Sequence, residues 1–236
     1  VDQYPQVVQL LKFLEKNLSG SLTGFELMWQ NTYTTMTQTL TQQQPPLPQN
    51  YPYYIFVECL GSEAQKDYQR LETLIGEAME NGMITDAALM NSDRDLNFLW
   101  LLREDVAVLA SQGKFDQHFD ISLPIPKIGV LIGEIQNNLE ALPFVSHAFA
   151  FGHVADGNIH FIIGKDTDSE ELKSQINDII YNNTELVNGS ISAEHGIGLD
   201  KKRYLIKSRS EDEISLMRLL KKTIDPKNIL NPGRVF

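Results

Sequence analysis

Hydrophobic residues recur along the chain with two different spacings, and these predict helices and strands in alternation. Between residues 5 and 18 they lie mostly three or four positions apart, as on the buried face of a helix, and Gly20 follows as a helix stop. Between residues 51 and 60 aromatic and β-branched residues dominate, which is typical of a strand. The Pro- and Gln-rich residues 41–50 separate two such segments and predict an exposed loop within one domain.

The complete pattern predicts one α+β domain. The predicted strands cover residues 24–29, 51–60, 83–88, 119–123, 144–152 and 158–163. The predicted helices cover residues 5–18, 31–40, 62–81, a stretch from 92 that includes 96–102, 125–142, 169–188, 201–207 and 211–223. Because the spacers are short and one strand pair forms a hairpin, we expect a mostly antiparallel sheet with helices on one face, followed by C-terminal helices.

Composition and charge narrow the classes of function. The 236 residues carry a net charge of -11, which argues against nucleic-acid binding but leaves room for an acidic substrate beside a few local Arg and Lys residues. No apolar run approaches the roughly 20 residues that span a bilayer, so no transmembrane segment is expected. The single cysteine, Cys59, predicts a buried thiol on a strand and fits a reducing cytoplasm, with a peripheral membrane location as the alternative. GxGxxG and Walker A patterns are absent, so the chain by itself predicts no dinucleotide site.

Two of the five histidines flank a predicted hairpin turn. Asp156, Gly157 and Asn158 have strong turn chemistry, and strands are predicted on both sides of them. The hairpin would bring His153 and His160 onto facing strands near its closed end. Imidazoles placed in this way can share one metal ion.

A second candidate segment lies further along the chain. Glu194 and His195 are adjacent, and in an extended stretch their side chains would point in opposite directions, one towards a metal and one towards a substrate. Gly196 and Gly198 leave room for close approach of a ligand. Two histidines and one carboxylate are a common ligand set for a catalytic metal. Hydrogen-bonded structural histidines and a simple turn are the alternative interpretation of the same residues.

Residues 152–160 (GHVADGNIH) resemble the Gly-His-x-Gly-Asp-Gly-Asn-x-His signature of the FAD-linked oxidases that have a vanillyl-alcohol-oxidase-type flavin domain. Residues 192–198 (SAEHGIG) resemble the second signature of this family, and residues 225–234 (DPKNILNPGR) resemble its carboxy terminus. Three further blocks fit in the right order: residues 24–26, 99–104 and 120–124. The resemblance extends from about Gly20 to Phe236 and is closest to the D-lactate, glycolate and D-2-hydroxyglutarate dehydrogenases.

The resemblance implies that residues 1–236 are the carboxy-terminal, ferredoxin-like cap domain of a D-2-hydroxy-acid dehydrogenase, and that the FAD-binding domain is missing from this chain. It implies a divalent metal, zinc or manganese, held by His153, His160 and Glu194. His195 would be the general base, and Arg103 would pair with the substrate carboxylate. Asn231, in the returning tail, would face the flavin. The electron acceptor is not specified.

The sequence departs from the family pattern at three positions. Ala155 replaces a glycine of the hairpin turn. His118 stands where relatives often carry a substrate-binding Lys, and it is retained as a candidate substrate contact. Ile162 stands where enzymes acting on D-2-hydroxyglutarate tend to carry Asn. The last two departures favour a D-2-hydroxy acid that is smaller or more apolar than a dicarboxylate, such as lactate or glycolate.

Two other classes of function fit the candidate residues. A metal hydrolase would use His153, His160 and Glu194 to hold a metal that activates water. A non-catalytic, metal-stabilised cap would bind metal without turnover. The order of the six blocks favours the flavoenzyme, and the isolated chain is expected to be colourless and inactive.

Overall fold

The computed structural model describes residues 1–90 and 92–236, and a five-stranded antiparallel sheet forms its centre. The strands lie in the order β2-β1-β4-β5-β3. Their bounds are Leu22–Trp29 (β1), Tyr53–Cys59 (β2), Phe115–Ser122 (β3), Val145–His153 (β4) and Asn158–Lys165 (β5). The predicted α+β class and the antiparallel sheet are confirmed.

Eight α-helices surround the sheet in the described part of the chain. They are Tyr4–Leu18 (α1), Gln30–Thr39 (α2), Ala64–Glu80 (α3), Asp93–Glu104 (α4), Val106–Ala110 (α5), Ile128–Glu140 (α6), Glu170–Leu186 (α7) and Glu211–Ile224 (α8). Short 3₁₀ turns cover Ile125–Lys127, Val154–Asp156 and Lys202–Lys207. No helix among the described residues combines the length and the apolar character needed to cross a membrane.

The two faces of the sheet are covered unequally. Because strand side chains alternate between faces, Phe161 of β5 points into the larger core, which α1, α3, α6 and α7 cover. Ile162, the next residue, points into a smaller core with Phe149 and Phe151, against α2, α4 and α5. The main helical layer therefore lies on one face, as expected, and the structure adds a smaller helical cluster on the other. The candidate site lies on this second face.

Three predicted elements differ from the structure. The predicted strand 83–88 is wrong, because Ile84 is buried in the larger core without strand pairing. Helix α5 was not predicted, because its five residues are too few to show the hydrophobic spacing of a helix. Strand β3 begins at Phe115 rather than Phe119, because this edge strand is mostly exposed in its first half, where three of the four residues are polar.

The β4–β5 hairpin forms where the turn residues predicted it. Gly157 has φ +80°, a left-handed conformation that glycine adopts readily, and a Cβ there would come within 2.4 Å of the Leu123 carbonyl oxygen. Ala155 is exposed, so the turn accommodates its methyl group. The hairpin thereby brings the end of β4 and the start of β5 to the same edge of the second face.

Candidate functional site

The sheet register aligns four ionisable residues on four neighbouring strands. Glu26 of β1 lies opposite His153 of β4, and Asp120 of β3 lies opposite His160 of β5. All four side chains point to the second face by strand alternation. The ring centroids of His153 and His160 are 5.5 Å apart, so the hairpin brings the two histidines together as predicted.

Glu26 fixes the orientation of His153 from the neighbouring strand. The carboxylate oxygen Oε1 of Glu26 lies 2.5 Å from Nδ1 of His153. Burial by itself would raise the pKa of Glu26, but the His153 hydrogen bond and the Arg103 charge outweigh it and hold the pKa below its usual value. The same hydrogen bond raises the pKa of His153 against the opposing effect of burial. When His153 is neutral, this contact places its proton on Nδ1 and leaves the lone pair on Nε2, where Arg103 donates to it.

Arg103 reaches the same carboxylate from helix α4. Its Nε lies 2.6 Å from Oε2 of Glu26, and its Nη2 lies 3.2 Å from Nε2 of His153. The guanidinium also lies over the Phe151 ring, 5.1 Å from its centroid. Only 10% of the Arg103 side chain is exposed, so its ion pair is buried in the site instead of lying on the helix surface.

His160 is a buried imidazole that stays neutral near pH 7. Burial, followed by the nearby charge of Arg103, lowers its pKa to about 4. Its Nε2 lies 3.2 Å from Oε1 of Glu194. A neutral imidazole beside a carboxylate is the state in which both groups can bind a divalent metal.

Glu194 and His195 lie on the same side of their segment, so the prediction that they point in opposite directions is wrong. Oε1 of Glu194 is 4.0 Å from Nε2 of His195, and the His195 ring stacks on His160 with centroids 5.4 Å apart. The segment is bent rather than extended, which removes the alternation on which the prediction depended. The His195 side chain is 54% exposed and is accessible to a small molecule.

Asp120 holds this bent segment in place. Its fully buried carboxylate accepts the backbone N–H groups of Ala193, Glu194 and His195, at distances down to 2.8 Å. Burial would raise the pKa of Asp120, but these hydrogen bonds and the charge of Lys201 lower it overall. The carboxylate is therefore ionised and occupied by donors.

The remaining two candidate residues lie further from this cluster. His118 is on the same face of β3 as Asp120, but it is half-exposed and its Nε2 lies 2.5 Å from Oδ2 of Asp116. Asn231 lies in the exposed C-terminal tail, and the backbone N–H of Val235 connects this tail to the Gly198 carbonyl. The structure thus brings Arg103, His153, His160, Glu194 and His195 together and leaves His118 and Asn231 at the periphery.

The donor set fits a divalent metal. One ligand atom from each of Asp120, His160, Glu194 and His195 lies within 4.8 Å of the others. Nε2 of His153 lies 3.9 Å from the same Glu194 oxygen. Since three backbone N–H groups already donate to the Asp120 carboxylate, mainly to its Oδ2, His160, Glu194 and the two flanking histidines are the better ligand candidates. Imidazole nitrogens with a carboxylate suit zinc or manganese.

Two residues that organise the site, Glu26 and Asp120, were not singled out from the sequence as functional. Both are acidic residues between apolar neighbours in a strand, in Phe25-Glu26-Leu27 and Phe119-Asp120-Ile121. Since acidic residues are almost never buried without partners, this pattern was an available signal. The residues that pair with Glu26 and Asp120 could not be identified without the sheet register.

The neutral state of His160 predicts an acid-sensitive fold. Its pKa is about 4 in the folded chain and 6.5 when unperturbed, so below pH 6.5 the unfolded state binds more protons. We expect His160 to lower the free energy of unfolding of the metal-free chain as pH falls from 6.5 towards 4, by up to about 1.4 kcal/mol per pH unit. Urea titrations at several pH values, with His160→Gln for comparison, measure this slope. Equal slopes in the two proteins would show that His160 is not held neutral.

The antiparallel sheet, with helices on both faces, makes this an α+β domain, and a cluster of histidines and carboxylates lies beside its hairpin. The comparisons with known proteins identify its family. Residues 1–235 match the family model of the C-terminal domain of FAD linked oxidases. The chain belongs to this family.

Curated relatives agree with this assignment. The chain is 31% identical over 233 residues to the mitochondrial D-2-hydroxyglutarate dehydrogenase of Bos taurus, covering 99% of this chain and 42% of the relative. It is 32% identical over 241 residues to a putative mitochondrial D-lactate dehydrogenase of Schizosaccharomyces pombe, covering 98% and 46%. It is 35% identical over 201 residues to the D-2-hydroxyglutarate dehydrogenase of a Xanthomonas citri strain, covering 82% and 42%.

The fold also has a counterpart among solved structures. An alkyldihydroxyacetonephosphate synthase superposes with a TM-score of 0.56 at 13% identity, over 98% of this chain and 42% of that structure. This likeness concerns the fold alone. The chain spans less than half the length of the curated relatives it matches.

Proposed function

We propose that this chain is the substrate- and metal-binding portion of an FAD-dependent D-2-hydroxy-acid dehydrogenase. The observation that carries the proposal is the convergence of residues from two distant motifs, with His160 and Glu194 3.2 Å apart and His195 stacked beside them. Membership of the FAD linked oxidase family favours this function over a metal hydrolase or a non-catalytic cap. We place most of the FAD contacts in an FAD-binding domain outside this chain, because the relatives are more than twice as long.

The reaction removes a proton and a hydride from the substrate and leaves a 2-keto acid. FAD would supply the acceptor for the hydride that leaves the substrate Cα. His153, His160 and Glu194 would hold the divalent metal, which would supply the Lewis acid that lowers the pKa of the substrate hydroxyl. The imidazole of His195 takes the hydroxyl proton, since it is exposed and lies beside Glu194 and His160.

Arg103 provides the recognition of the substrate carboxylate in this proposal. A guanidinium matches a carboxylate with a planar fork of N–H donors. Glu26 occupies its Nε and the Phe151 ring supports its plane, so the guanidinium is held in one orientation before substrate arrives. A residue fixed in advance loses less entropy on binding than a free side chain would.

The residues near the cluster favour a monocarboxylic substrate. Ile162 is buried in the smaller core with 2% of its surface exposed, so that position offers no polar group to a second carboxylate. His118 already pairs with Asp116, and in this proposal its half-exposed imidazole contacts the substrate only at the rim of the site. We therefore propose D-lactate or glycolate as the substrate class, in preference to D-2-hydroxyglutarate.

The C-terminal residues present an apolar surface that fits the proposed flavin-binding portion. Helix α8 buries only Ile214 and exposes several large aliphatic side chains: Leu216, Leu219, Leu220 and Ile224. Ile229 and Leu230 of the tail are exposed as well. We propose that the flavin-binding portion covers this surface and that Asn231 faces the cofactor there.

The single cysteine is consistent with a reducing compartment. Cys59 lies half-buried on β2, and burial raises the pKa of its thiol, which disfavours the reactive thiolate. We propose the cytoplasm as the location, whereas the bovine and fission-yeast relatives are named as mitochondrial.

The function is tested with the chain joined to an FAD-binding portion and loaded with zinc or manganese. Dye reduction is measured with D-lactate, glycolate and D-2-hydroxyglutarate, and L-lactate serves as the stereochemical control. We expect D-lactate or glycolate to react fastest, and His195→Ala to lower kcat by about 10²–10⁴-fold because the proton acceptor is lost. Failure to oxidise any 2-hydroxy acid, or ester or amide hydrolysis by the chain alone, would reject the proposal.

A further inference from the structure

The carboxylate of Asp120 receives an unusual concentration of hydrogen bonds from one short segment. Ser192 donates its hydroxyl at 3.0 Å, and the next three residues donate backbone N–H groups: Ala193 at 3.0 Å, Glu194 at 3.1 Å and His195 at 2.8 Å. The Asp120 side chain is completely buried. All four donors belong to the segment that carries Glu194 and His195.

The path of the chain explains why a carboxylate is needed at this point. Ser190 pairs with Ser122 of β3 through two backbone hydrogen bonds of 2.8 and 2.9 Å, like the start of a sixth strand. After Ser190 the segment bends away from β3. The N–H of Ala193 still reaches the backbone carbonyl of Asp120 at 3.3 Å, and those of Glu194 and His195 turn to the Asp120 carboxylate. Successive N–H groups that converge in this way form a concave binding site for an anion. Asp120 supplies that anion from within the fold.

We propose that Asp120 is a positioning residue for the active site: its carboxylate fixes the backbone of residues 192–195 and so places Glu194 and His195 beside His160. The roles of Glu194 and His195 in this statement rest on the proposed function. The register supports the inference, because Asp120 lies directly opposite His160 in the β3–β5 pair. One strand pair therefore sets both the position of the buried imidazole and the position of the segment that approaches it.

Lys201 provides the counter-charge for the buried Asp120 carboxylate. Its Nζ lies 2.9 Å from the Ser192 hydroxyl and 3.5 Å from the Asp120 carboxylate, with 12% of the side chain exposed. A buried carboxylate needs both a counter-charge and hydrogen bonds to offset its desolvation. Lys201 supplies the counter-charge, and the segment supplies the hydrogen-bond donors. The Asp120 carboxylate is therefore stabilised without any side-chain atom of Glu194 or His195.

The chain contains a matched control for this arrangement. Asp225 is also buried, is paired with Lys221, and accepts the backbone N–H groups of Ile229 at 3.0 Å and Leu230 at 2.9 Å. It anchors the C-terminal tail and has no hydrogen bond to the histidine cluster. The two anchors share their chemistry and differ in the segment that each one holds.

The experiment measures backbone amide exchange, amide proton chemical shifts and Mn²⁺ affinity for the whole chain and for Asp120→Asn, Ser192→Ala and Asp225→Asn. In metal-free Asp120→Asn we expect exchange at residues 193–195 to accelerate roughly tenfold or more, since hydrogen bonds to a charged group are lost. The three amide protons should also lose their downfield shift, and Mn²⁺ affinity should fall by about 10–100-fold. Ser192→Ala should give smaller changes of the same kind, whereas Asp225→Asn should affect residues 229–230 and leave Mn²⁺ affinity unchanged.

Each result decides the inference. Unchanged exchange and shifts at residues 193–195 in Asp120→Asn and Ser192→Ala would overturn it, as would an equal loss of Mn²⁺ affinity in Asp225→Asn. If Asp120→Asn does not fold, Ser192→Ala decides by the same readouts. If the wild-type chain binds no Mn²⁺, the metal site of the proposed function fails, and the exchange and shift data still decide whether Asp120 positions the segment.

Discussion

Replacement of His160 by alanine is expected to lower the affinity of the chain for zinc or manganese by a factor of about 100 or more. Removal of a residue that merely supports a ligand costs about 10–100-fold in metal affinity, so loss of a ligand should cost at least as much. His160 is suited to the role because it is neutral, buried and 3.2 Å from Glu194. Glu194→Gln should have a comparable effect, since it removes the negative charge shared by the site.

The measurement is a metal titration of the stripped chain followed by calorimetry or Mn²⁺ electron paramagnetic resonance. His147→Ala is the matched control, because His147 packs against Phe149 and Gly164 in the sheet and makes no contact with Glu194. Its affinity should equal that of the wild-type chain. Equal affinities in His160→Ala and wild type would remove His160 from the ligand set, and the hairpin would then be a structural element only.

Glu26→Ala is expected to destabilise the fold by about 3–5 kcal/mol, because it leaves a buried Arg103 without its counter-charge. The two side chains are only 7% and 10% exposed, so water cannot replace the lost partner. His153 also loses the carboxylate that orients its ring at 2.5 Å. We therefore expect weaker metal binding in addition to the loss of stability.

Urea unfolding of the metal-free chain measures this effect, with Glu185→Ala as the control. Glu185 pairs with Lys207 at 2.8 Å but is half-exposed, and its removal should cost no more than about 1 kcal/mol. The combined variant Glu26→Leu with Arg103→Met should recover much of the lost stability, since it removes both charges together. A loss in Glu26→Ala that does not exceed the loss in Glu185→Ala would show that the ion pair is not effectively buried.

Local sequence was sufficient for the elements that have strong local signals. The turn residues Asp156, Gly157 and Asn158 predicted the hairpin, and its strands begin and end within two residues of the predicted bounds. Hydrophobic spacing likewise predicted α1 and α7, because each buries a stripe of side chains that recurs with the helical period. The strand predicted at residues 83–88 was wrong, because a short apolar run does not show whether the segment pairs with another strand.

The part of the candidate site that depends on local sequence was also predictable. His153 and His160 are seven positions apart in the chain, and their approach follows from one turn. Glu194 and His195 were associated with them by their ligand chemistry and by the family resemblance, because no local rule connects residues 160 and 194. The bend of that segment, which places both side chains on one side, depends on Asp120, more than 70 residues earlier in the chain.

By itself the sequence determined the α+β class, the hairpin and the chemical types of the candidate ligands, since these depend on period, turn chemistry and residue identity. Tertiary structure alone decided that Glu26 orients His153 and Arg103, that burial keeps His160 neutral, and that Asp120 holds the Glu194 segment. These are contacts between strands and segments distant in the chain. Their strength depends on removal from water, a property of the packed fold that no stretch of sequence carries.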